Sequence, residues 1–437
     1  MLNVEYHMIE SNKLRQLWYD MRHQSVVTWV TLVGTALSVF LLMVVITLQQ
    51  INIMPFAPET NRPRLMYGQN FHVRGLQHPD NNSSAGLSYA MAEKLYSGLN
   101  GVELSSYINI DTWKAEVEGS TMKPFKATVR KVDDNFWKIF DHTLLEGRYF
   151  DKAEVDAGQR LAVLSRTTAR KLFGDAKAVG AEFMLNFQPY TVAGIVEDNS
   201  ALARQASGEV FIPMSATTAA AWDNDGYLGD VAVALLLAEG TDPADLRSQV
   251  KARYAQLATE LAPADKEPVY HQTPYDVATV VEGEYGSNNS PDNESTARGR
   301  LITYLLLLLL PAINLAGMLH SRIRRRVGEF SIRRAFGCTR WRIVRDIISE
   351  NFIVTLGGGI AGWCAAMIFL SSYEGLYTAG WIGVIHATPS MVMLLNWRFI
   401  LAVLAVCFTL NFISASIPAW QASRLNTVDA INGHHNS

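Results

Sequence analysis

Residues 320 to 346 read HSRIRRRVGEFSIRRAFGCTRWRIVRD, and this stretch decides the fold because it carries nine arginines between two uncharged neighbours. Residues 301 to 321 and residues 351 to 373 contain no Asp, Glu, Lys or Arg. A segment this basic is too polar to lie in lipid and too short to fold alone. It therefore predicts a cytoplasmic connector between two membrane spans.

Four uncharged stretches predict four transmembrane helices. A helix needs roughly 20 residues to cross about 30 Å of hydrocarbon, and the chain supplies this length at about 26 to 48, 301 to 319, 351 to 372 and 399 to 420. A cleaved secretory signal is the alternative for the first stretch, but its length and the absence of a nearby small-x-small site favour an uncleaved signal anchor. The predicted fold class is a membrane α-helical protein with a large extracytoplasmic α+β domain inserted between the first and second transmembrane helices.

The distribution of Lys and Arg predicts the orientation in the membrane. Residues 1 to 25 hold three Lys or Arg residues and the connector holds nine, whereas the short loop 374 to 397 holds none. Both termini, including the tail 421 to 437, are therefore expected in the cytoplasm. Residues 49 to 299 are expected outside it.

Cysteine usage, charge and missing motifs narrow the classes of function. Cys338 lies in the connector, and Cys364 and Cys407 lie in predicted spans, so the external domain is expected to fold without a disulfide. The net charge of −3 does not favour nucleic acid as a partner. The sequence has no G-x-x-x-x-G-K-S/T loop and no metal-ligand spacing. We expect a non-catalytic chain that binds no cofactor of its own.

Local patterns predict the elements outside the spans. Residues 8 to 23 fit an amphipathic interfacial helix, or an ordinary helix packed on protein. The external segment alternates β-type and helical runs, as in an α+β domain. Predicted strands are 102 to 108, 126 to 132, 161 to 164, 190 to 196, 209 to 212 and 231 to 237, and predicted helices are 87 to 99, 166 to 173 and 243 to 261. The polar stretches 282 to 298 and 76 to 86 predict a mobile linker and a loose loop.

The connector itself predicts two helices. Residues 329 to 336 are good helix formers, Gly337 is a natural helix stop, and Thr339 is a suitable cap for a second helix that enters the third span. A short helix at 322 to 337, pinned at both ends, would pass force from a cytoplasmic partner into the membrane. The alternative is that the arginines only contact anionic membrane lipid, at about 1 kcal/mol each.

Residues 322 to 362, RIRRRVGEFSIRRAFGCTRWRIVRDIISENFIVTLGGGIAG, resemble the signature of the FtsX-like permease domain of ABC transporters. In that family a basic stretch leads into Glu-Ile-Gly-Ile-Arg-Arg-Ala-Leu-Gly-Ala, and the next helix has a Glu before a glycine-rich span. The matching positions are Glu329, Ile332, Arg333, Arg334, Ala335, Gly337 and Glu350. The positions that depart from the signature are Phe330, Ser331, Phe336 and Cys338.

Two further segments extend the resemblance over nearly the whole chain. Residues 144 to 150 (LLEGRYF) and 161 to 198 are similar to the periplasmic core domain of MacB-type permeases. Residues 417 to 431 (IPAWQASRLNTVDAI) are similar to the family's ending, with Thr427 where proline is usual. The resemblance implies a periplasmic core at 49 to 299, with a porter-like part and an inserted distal part around 100 to 200, and a permease domain at 300 to 437.

The resemblance also implies a mechanism and a location. Such permeases lie in the bacterial inner membrane and transmit the closure of a cytoplasmic ABC ATPase dimer, which holds ATP and Mg, to the periplasmic domains. A second permease subunit, identical or related, is expected, together with a periplasmic adaptor or outer-membrane factor. The implied outcome is export or extraction of a compound, peptide or lipoprotein. The alternatives are activation of a cell-wall hydrolase without transport, and a receptor without an ATPase.

Two groups of residues carry these expectations. By their position in the coupling helix, the candidates for ATPase contact are Glu329, Arg333 and Arg334, with Phe330 and Phe336 as apolar anchors and Gly337 at the helix end. In the membrane, Gly358 and Gly362 have the G-x-x-x-G spacing that permits close helix approach, within one subunit or across a dimer. Pro311 and Asn314 are candidates for a kink and an interhelical hydrogen bond, or for a purely structural role.

Overall fold

The computed structural model describes residues 25–51, 53–78, 80, 82–109, 113–119, 123–200, 203–216, 226–282, 298–299, 301–306 and 336–372, with single positions 309, 332, 401, 405, 409 and 412. The described residues of 1–49, 297–373 and 389–437 form one compact unit, called the helical unit. Those of 50–296 form a second, called the sheet unit. None of the helices formed by the described residues has both the length and the apolar sequence that a membrane span needs.

The described elements match the α+β pattern of the external segment. The helices are α1 Ser25–Ile51, α2 Tyr89–Tyr96, α3 Phe136–Ile139, α4 Lys152–Asp156, α5 Arg166–Phe173, α6 Pro243–Leu261, α7 Val277–Glu282 and α8 Arg340–Ser372. The strands are β1 Leu65–Gly68, β2 Phe71–Gly75, β3 Asn82–Leu87, β4 Val102–Asn109, β5 Trp113–Glu118, β6 Phe125–Val132, β7 Leu144–Gly147, β8 Leu161–Ser165, β9 Glu182–Leu185, β10 Gln188–Val196, β11 Val210–Pro213, β12 Leu228–Gly229, β13 Val231–Leu237, β14 Lys266–Pro268 and β15 Tyr275–Asp276. The strands and helices predicted for this segment are confirmed, with small shifts at their ends.

Local capping explains where the confirmed helices begin. The Asp242 side chain accepts a hydrogen bond from the Ala244 backbone N–H at 2.8 Å, and Pro243 follows it, so α6 starts at the expected position. The Ser165 side chain accepts from the Thr168 N–H at 3.3 Å and starts α5. Gly174 then ends α5 with a φ of +63°, a conformation that glycine adopts without steric cost.

One hydrophobic core is built from the two ends of the sheet unit. Strand β13 is buried along its whole length because it lies between β1 and β4 and is covered by α2 and α6. Leu95, Val233 and Leu246 are fully buried in this core. Residues 66 to 107 and 227 to 261 supply its buried members and the side chains packed on them, apart from Met214 and Tyr270.

A second core lies inside a ring of strands. The order β11-β8-β10-β9-β5-β6 closes on itself because β11 also pairs in parallel with β6. Buried side chains fill the ring, including Val129, Leu164 and Leu172. All of its members come from residues 113 to 216, a single stretch of chain that interrupts the segments of the first core.

The prediction of a loose loop at 76 to 86 is wrong over its second half. Residues 82–87 form β3, which pairs with β2 through the Phe71 and Ala85 positions and with β12 through Leu87 and Leu228. The first four residues of β3, Asn-Ser-Ser-Ala, are exposed and three of them are polar, so the sequence has little β propensity. Backbone pairing on both sides therefore outweighs propensity at this strand.

Candidate coupling surface and helix pairing

The structure describes only part of the predicted site. Phe336, Gly337, Gly358 and Gly362 lie within the described residues. Glu329, Phe330, Arg333, Arg334, Pro311 and Asn314 lie outside them, as do the N-terminal helix at 8 to 23, most of the linker at 282 to 298 and most of the second and fourth predicted spans.

A tight turn at Gly337 precedes α8 in the connector. The Phe336 N–H donates to the Ile332 carbonyl at 3.1 Å, as in a helical turn. Gly337 follows with a φ of +87°, the left-handed conformation common after a helix. The Thr339 carbonyl then accepts from the N–H groups of Arg342 at 3.1 Å and Ile343 at 3.4 Å, and α8 begins. Both the predicted helix stop and the predicted helix start agree with this geometry.

Large apolar side chains project from this turn. Phe336 is 88% exposed, Trp341 is 76% exposed and Ile332 is 57% exposed. On the other face of the first turn of α8, Ile343 and Val344 are buried. We call Ile332, Phe336 and Trp341 the connector surface. Exposed aromatic residues beside arginine form the type of surface that another protein covers.

Trp341 was not among the residues singled out from the sequence. It lies after the helix that the pattern identified, at the start of α8, so attention to the first helix alone misses it. A tryptophan inside a run of nine arginines was the available signal, since tryptophan is enriched in protein interfaces.

Gly358 and Gly362 lie where α8 crosses α1. A Cβ built on Gly362 would lie 2.3 Å from the Ala36 carbonyl oxygen, and one built on Gly358 would lie 2.9 Å from the Thr35 Cβ. Both distances are shorter than van der Waals contact, so the two backbones approach closely only because these positions have no side chain. The contact is between two helices of one chain.

Aromatic and small residues extend this contact along both helices. The rings of Phe40 and Phe369 meet edge-on with centroids 5.4 Å apart. Ala366 and Leu370 are 1% exposed, on the same face of α8 as the two glycines. The α1–α8 pair is therefore close-packed over several turns.

A buried ion pair fixes the segment that follows α1. We call residues 54–64 the anchor segment. The Arg62 Nε donates to Glu59 at 2.6 Å with both side chains almost fully buried, and the Arg62 guanidinium lies 4.1 Å from the centre of the Phe56 ring. The second carboxylate oxygen of Glu59 accepts from the backbone N–H groups of Gln205 at 3.0 Å and Ala206 at 3.1 Å. Charged groups this deeply buried require such pairing.

A second buried guanidinium belongs to Arg130 of strand β6. Arg130 is 1% exposed and donates to the carbonyl oxygens of Ser207 at 2.7 Å, Arg204 at 2.6 Å and Asn109 at 3.3 Å. The loop around residue 205 is therefore held by the anchor segment on one side and by Arg130 on the other.

Burial shifts the titration of two groups in the sheet unit. Burial raises the pKa of the Asp133 carboxyl to about 6, although this carboxyl accepts hydrogen bonds from the Ser106 hydroxyl and the Tyr107 N–H. Burial and, to a smaller extent, the charge of Arg130 lower the pKa of His142 to about 3.

Within the described part of the chain, no cluster of three or more His, Cys, Asp or Glu side chains is placed to hold a metal ion.

Comparison with known proteins matches this architecture to one family. Residues 28–253 match the family model of the MacB-like periplasmic core domain, and residues 301–427 match the FtsX-like permease C-terminal domain. The chain belongs to the MacB/FtsX-type permeases of ABC transporters, which confirms the resemblance in the connector and in the external domain. Permeases of this family are inner-membrane proteins with a periplasmic domain.

Three curated relatives show the degree of similarity. The chain is 22% identical over 350 residues to the ABC transporter permease YknZ of Bacillus subtilis, covering 80% of this chain and 81% of YknZ. It is 26% identical to the macrolide export ATP-binding/permease protein MacB 1/2 of Paracoccus denitrificans, covering 70% and 42% of the two chains. It is 22% identical to the pyoverdine export ATP-binding/permease protein PvdT of Pseudomonas aeruginosa, again covering 70% and 42%. The chain thus spans less than half the length of the MacB and PvdT relatives.

Two solved structures of external domains have low TM-scores when compared with this chain. The periplasmic region of MacB from Actinobacillus actinomycetemcomitans has a TM-score of 0.35 and 15% identity, covering 48% of this chain and 89% of that one. The extracellular domain of YknZ has a TM-score of 0.31 and 14% identity, covering 46% and 100%.

Proposed function

We propose that this chain is a mechanotransmission subunit, which couples ATP hydrolysis by a separate cytoplasmic ABC ATPase to movement of its periplasmic domain. The movement drives export or extraction of a periplasmic or membrane substrate such as an antimicrobial compound, a peptide or a lipoprotein. ATP and Mg are held by the partner. The chain works with a second permease subunit, identical or related, and a periplasmic adaptor or outer-membrane factor completes the path.

The connector surface is the observation that carries this proposal. Phe336 and Trp341 are more than three-quarters exposed on either side of a fixed turn at Gly337. Exposure of two large aromatic side chains is unfavourable in water, at about 25 cal/mol per Å² of apolar surface. A groove of the ATPase would cover both aromatic side chains and receive the neighbouring arginines Arg333 and Arg334 and the acid Glu329.

The topology supports the direction of coupling. The four uncharged stretches and the asymmetry of Lys and Arg favour four transmembrane helices with both termini in the cytoplasm. The connector then lies on the side where ATP is hydrolysed. Within the helical unit, α8 begins at the connector and packs against α1, and the anchor segment follows α1 in the sequence.

Retention of the ATPase by connector variants tests the proposal. The full-length chain is co-expressed with its ABC ATPase, purified by a tag on the chain, and the bound ATPase is quantified. Phe336→Ser and Trp341→Ser should each lower retention by roughly tenfold or more, since truncated interface anchors cost about 2 kcal/mol or more. Leu76→Ser is the matched control, because Leu76 is an exposed apolar residue of the sheet unit. Equal retention by all three variants would remove the connector as the ATPase site.

Labelling with an impermeant thiol reagent tests the orientation separately. In intact spheroplasts a cysteine introduced by Asn289→Cys should react, and native Cys338 should not. The reverse pattern would invert the topology and place the connector surface out of reach of any cytoplasmic ATPase.

A further inference from the structure

The helical unit has an apolar groove along the first part of α8. One wall is formed by Arg345, Ile348, Ser349 and Phe352, which share a helical face through their spacing of three and four residues. Thr409 and Phe412 form the other wall, and the cavity volume is about 510 Å³. Nothing in the proposed coupling to an ATPase requires this groove.

The groove offers an apolar channel with a cation at one end. Phe352 is 42% exposed and Phe412 is 45% exposed, so aromatic surface lines an open cavity. The Thr409 hydroxyl does not add polarity to the channel, since it donates to the Ala405 carbonyl at 2.8 Å within its own helix. Arg345 lies one to two turns before Phe352 and is exposed.

We propose that this groove is a binding site for one anionic phospholipid, with an acyl chain along Ile348, Phe352 and Phe412 and the phosphate on Arg345. The apolar lining of the groove offers an acyl chain dispersion contacts along its length. The planar guanidinium binds two phosphate oxygens at once and is the preferred partner of phosphate groups. The proposal rests on the membrane location given under the proposed function, but not on the ATPase partner.

Charge complementarity selects the lipid over other occupants. A neutral lipid fills the apolar channel but leaves Arg345 without an anion. Free phosphate satisfies Arg345 but leaves the channel open. Any basic segment beside a membrane attracts anionic lipid. Binding at a specific site is distinguished from this attraction because it depends on one particular arginine.

Lipid binding to the purified full-length chain in detergent provides the test. Native mass spectrometry is used to titrate palmitoyl-oleoyl phosphatidylglycerol and palmitoyl-oleoyl phosphatidylcholine separately. We expect the anionic lipid to bind at least fivefold more tightly. Arg345→Gln should weaken the anionic lipid roughly tenfold and abolish the preference, with Arg345→Lys intermediate. Phe352→Ser should weaken both lipids to a similar extent and preserve their ratio.

Arg342→Gln is the matched control, because Arg342 is exposed on the same turn of α8 and does not line the groove. Arg342→Gln should change the affinity for the anionic lipid less than threefold. Equal losses of affinity in Arg342→Gln and Arg345→Gln would show that only the general attraction of basic residues for anionic lipid is measured, and would overturn the proposal. Displacement of the lipid by millimolar inorganic phosphate would overturn it in favour of a free-anion site. A fall in oligomeric state in Phe352→Ser would overturn it in favour of a contact between copies. None of these outcomes affects the ATPase-retention experiment, so the two proposals fail independently.

Discussion

Adding one methyl group in turn to three glycines of α8, Gly357, Gly358 and Gly362, tests the α1–α8 contact, because these positions differ in what the methyl group meets. At Gly362 the nearest atom is the Ala36 carbonyl oxygen at 2.3 Å, at Gly358 it is the Thr35 Cβ at 2.9 Å, and at Gly357 it is the Leu32 Cδ1 at 3.8 Å. The Gly357 distance is ordinary van der Waals contact. Gly357→Ala therefore serves as the control for both of the other substitutions.

The expected magnitude follows from comparing the variants with that control. Each Gly→Ala change in a helix gains up to about 1 kcal/mol of intrinsic propensity, and this gain cancels in the comparison. Relieving the clash at Gly362 requires the helices to separate by roughly 1 Å, a gap that forfeits a quarter to a half of each dispersion contact. Overpacking of this kind costs about 1–3 kcal/mol. Gly362→Ala should be less stable than Gly357→Ala by that amount, with Gly358→Ala between them.

Thermal unfolding of the detergent-purified full-length variants measures this series. A difference of that size separates the melting temperatures of Gly362→Ala and Gly357→Ala by roughly 1–3 °C in a chain of this length. The ranking of the three variants is the decisive result, since a general sensitivity of α8 to substitution would lower all three together. If Gly362→Ala melts at or above the temperature of Gly357→Ala, the close approach of α1 and α8 is refuted.

Three further predictions concern the sheet unit. Glu59→Gln leaves the buried Arg62 guanidinium without its carboxylate and should lower the unfolding free energy by about 3–5 kcal/mol. The double variant with Arg62→Leu should recover part of this loss. Denaturant unfolding of the wild type, the two single variants and the double variant measures both effects. Burial raises the pKa of Asp133 to about 6 in the folded state, from 3.8, so between these pH values the native state binds a proton that the unfolded state has lost. The stability that this group contributes is therefore present below pH 4 and is lost as the pH rises through 6. At 1.36 kcal/mol per pKa unit, the loss is about 3 kcal/mol. Asp133→Asn should remove that component from unfolding free energies measured between pH 4 and pH 6.5, and an unchanged slope would show that Asp133 does not titrate there. Phe187 lies at the tip of the β9–β10 hairpin, is 77% exposed and has a φ of +63°, a conformation that favours glycine. Phe187→Gly should therefore raise the unfolding free energy by up to about 1 kcal/mol in the same assay. A decrease would mean that the Phe187 ring makes a stabilising contact.

The elements of the sheet unit were predictable where local signals agreed with the tertiary structure. The run VAVALLL at 231–237 is buried throughout and is a strand, as its unbroken apolar character indicates. Helix α6 begins at the Asp-Pro pair and ends at Leu261, where the apolar periodicity stops. Both elements needed no information from distant parts of the chain.

The elements that the sequence did not predict depend on distant partners. Strand β3 has exposed, polar residues and exists because β2 and β12 offer backbone groups on both sides. The closure of the ring of strands depends on the β6–β11 pairing, which joins residues about 80 positions apart, and single-sequence patterns carry no signal for such pairing. The general position of the candidate site was accessible because arginine density and glycine spacing are local. The exposure of Trp341 could not be predicted, because it depends on how the first turn of α8 packs.

The anchor segment is hydrogen-bonded to parts of the sheet unit that are distant from one another in sequence. Its residues are tied to α3, where Asn61 donates to the Ile139 carbonyl at 3.2 Å, and to the loop before β11, where Glu59 accepts from the Gln205 N–H at 3.0 Å. They are also tied to the first core, because the Arg64 Nε donates to the Leu237 carbonyl at 2.8 Å. A buried ion pair contributes less net stability than apolar packing would, but it fixes one geometry because any displacement exposes an uncompensated charge. In a domain whose sequence contains no cysteine between residues 49 and 299, such pairing replaces covalent reinforcement. A displacement of the anchor segment would therefore disturb its contacts with α3, with the loop before β11 and with β13 together.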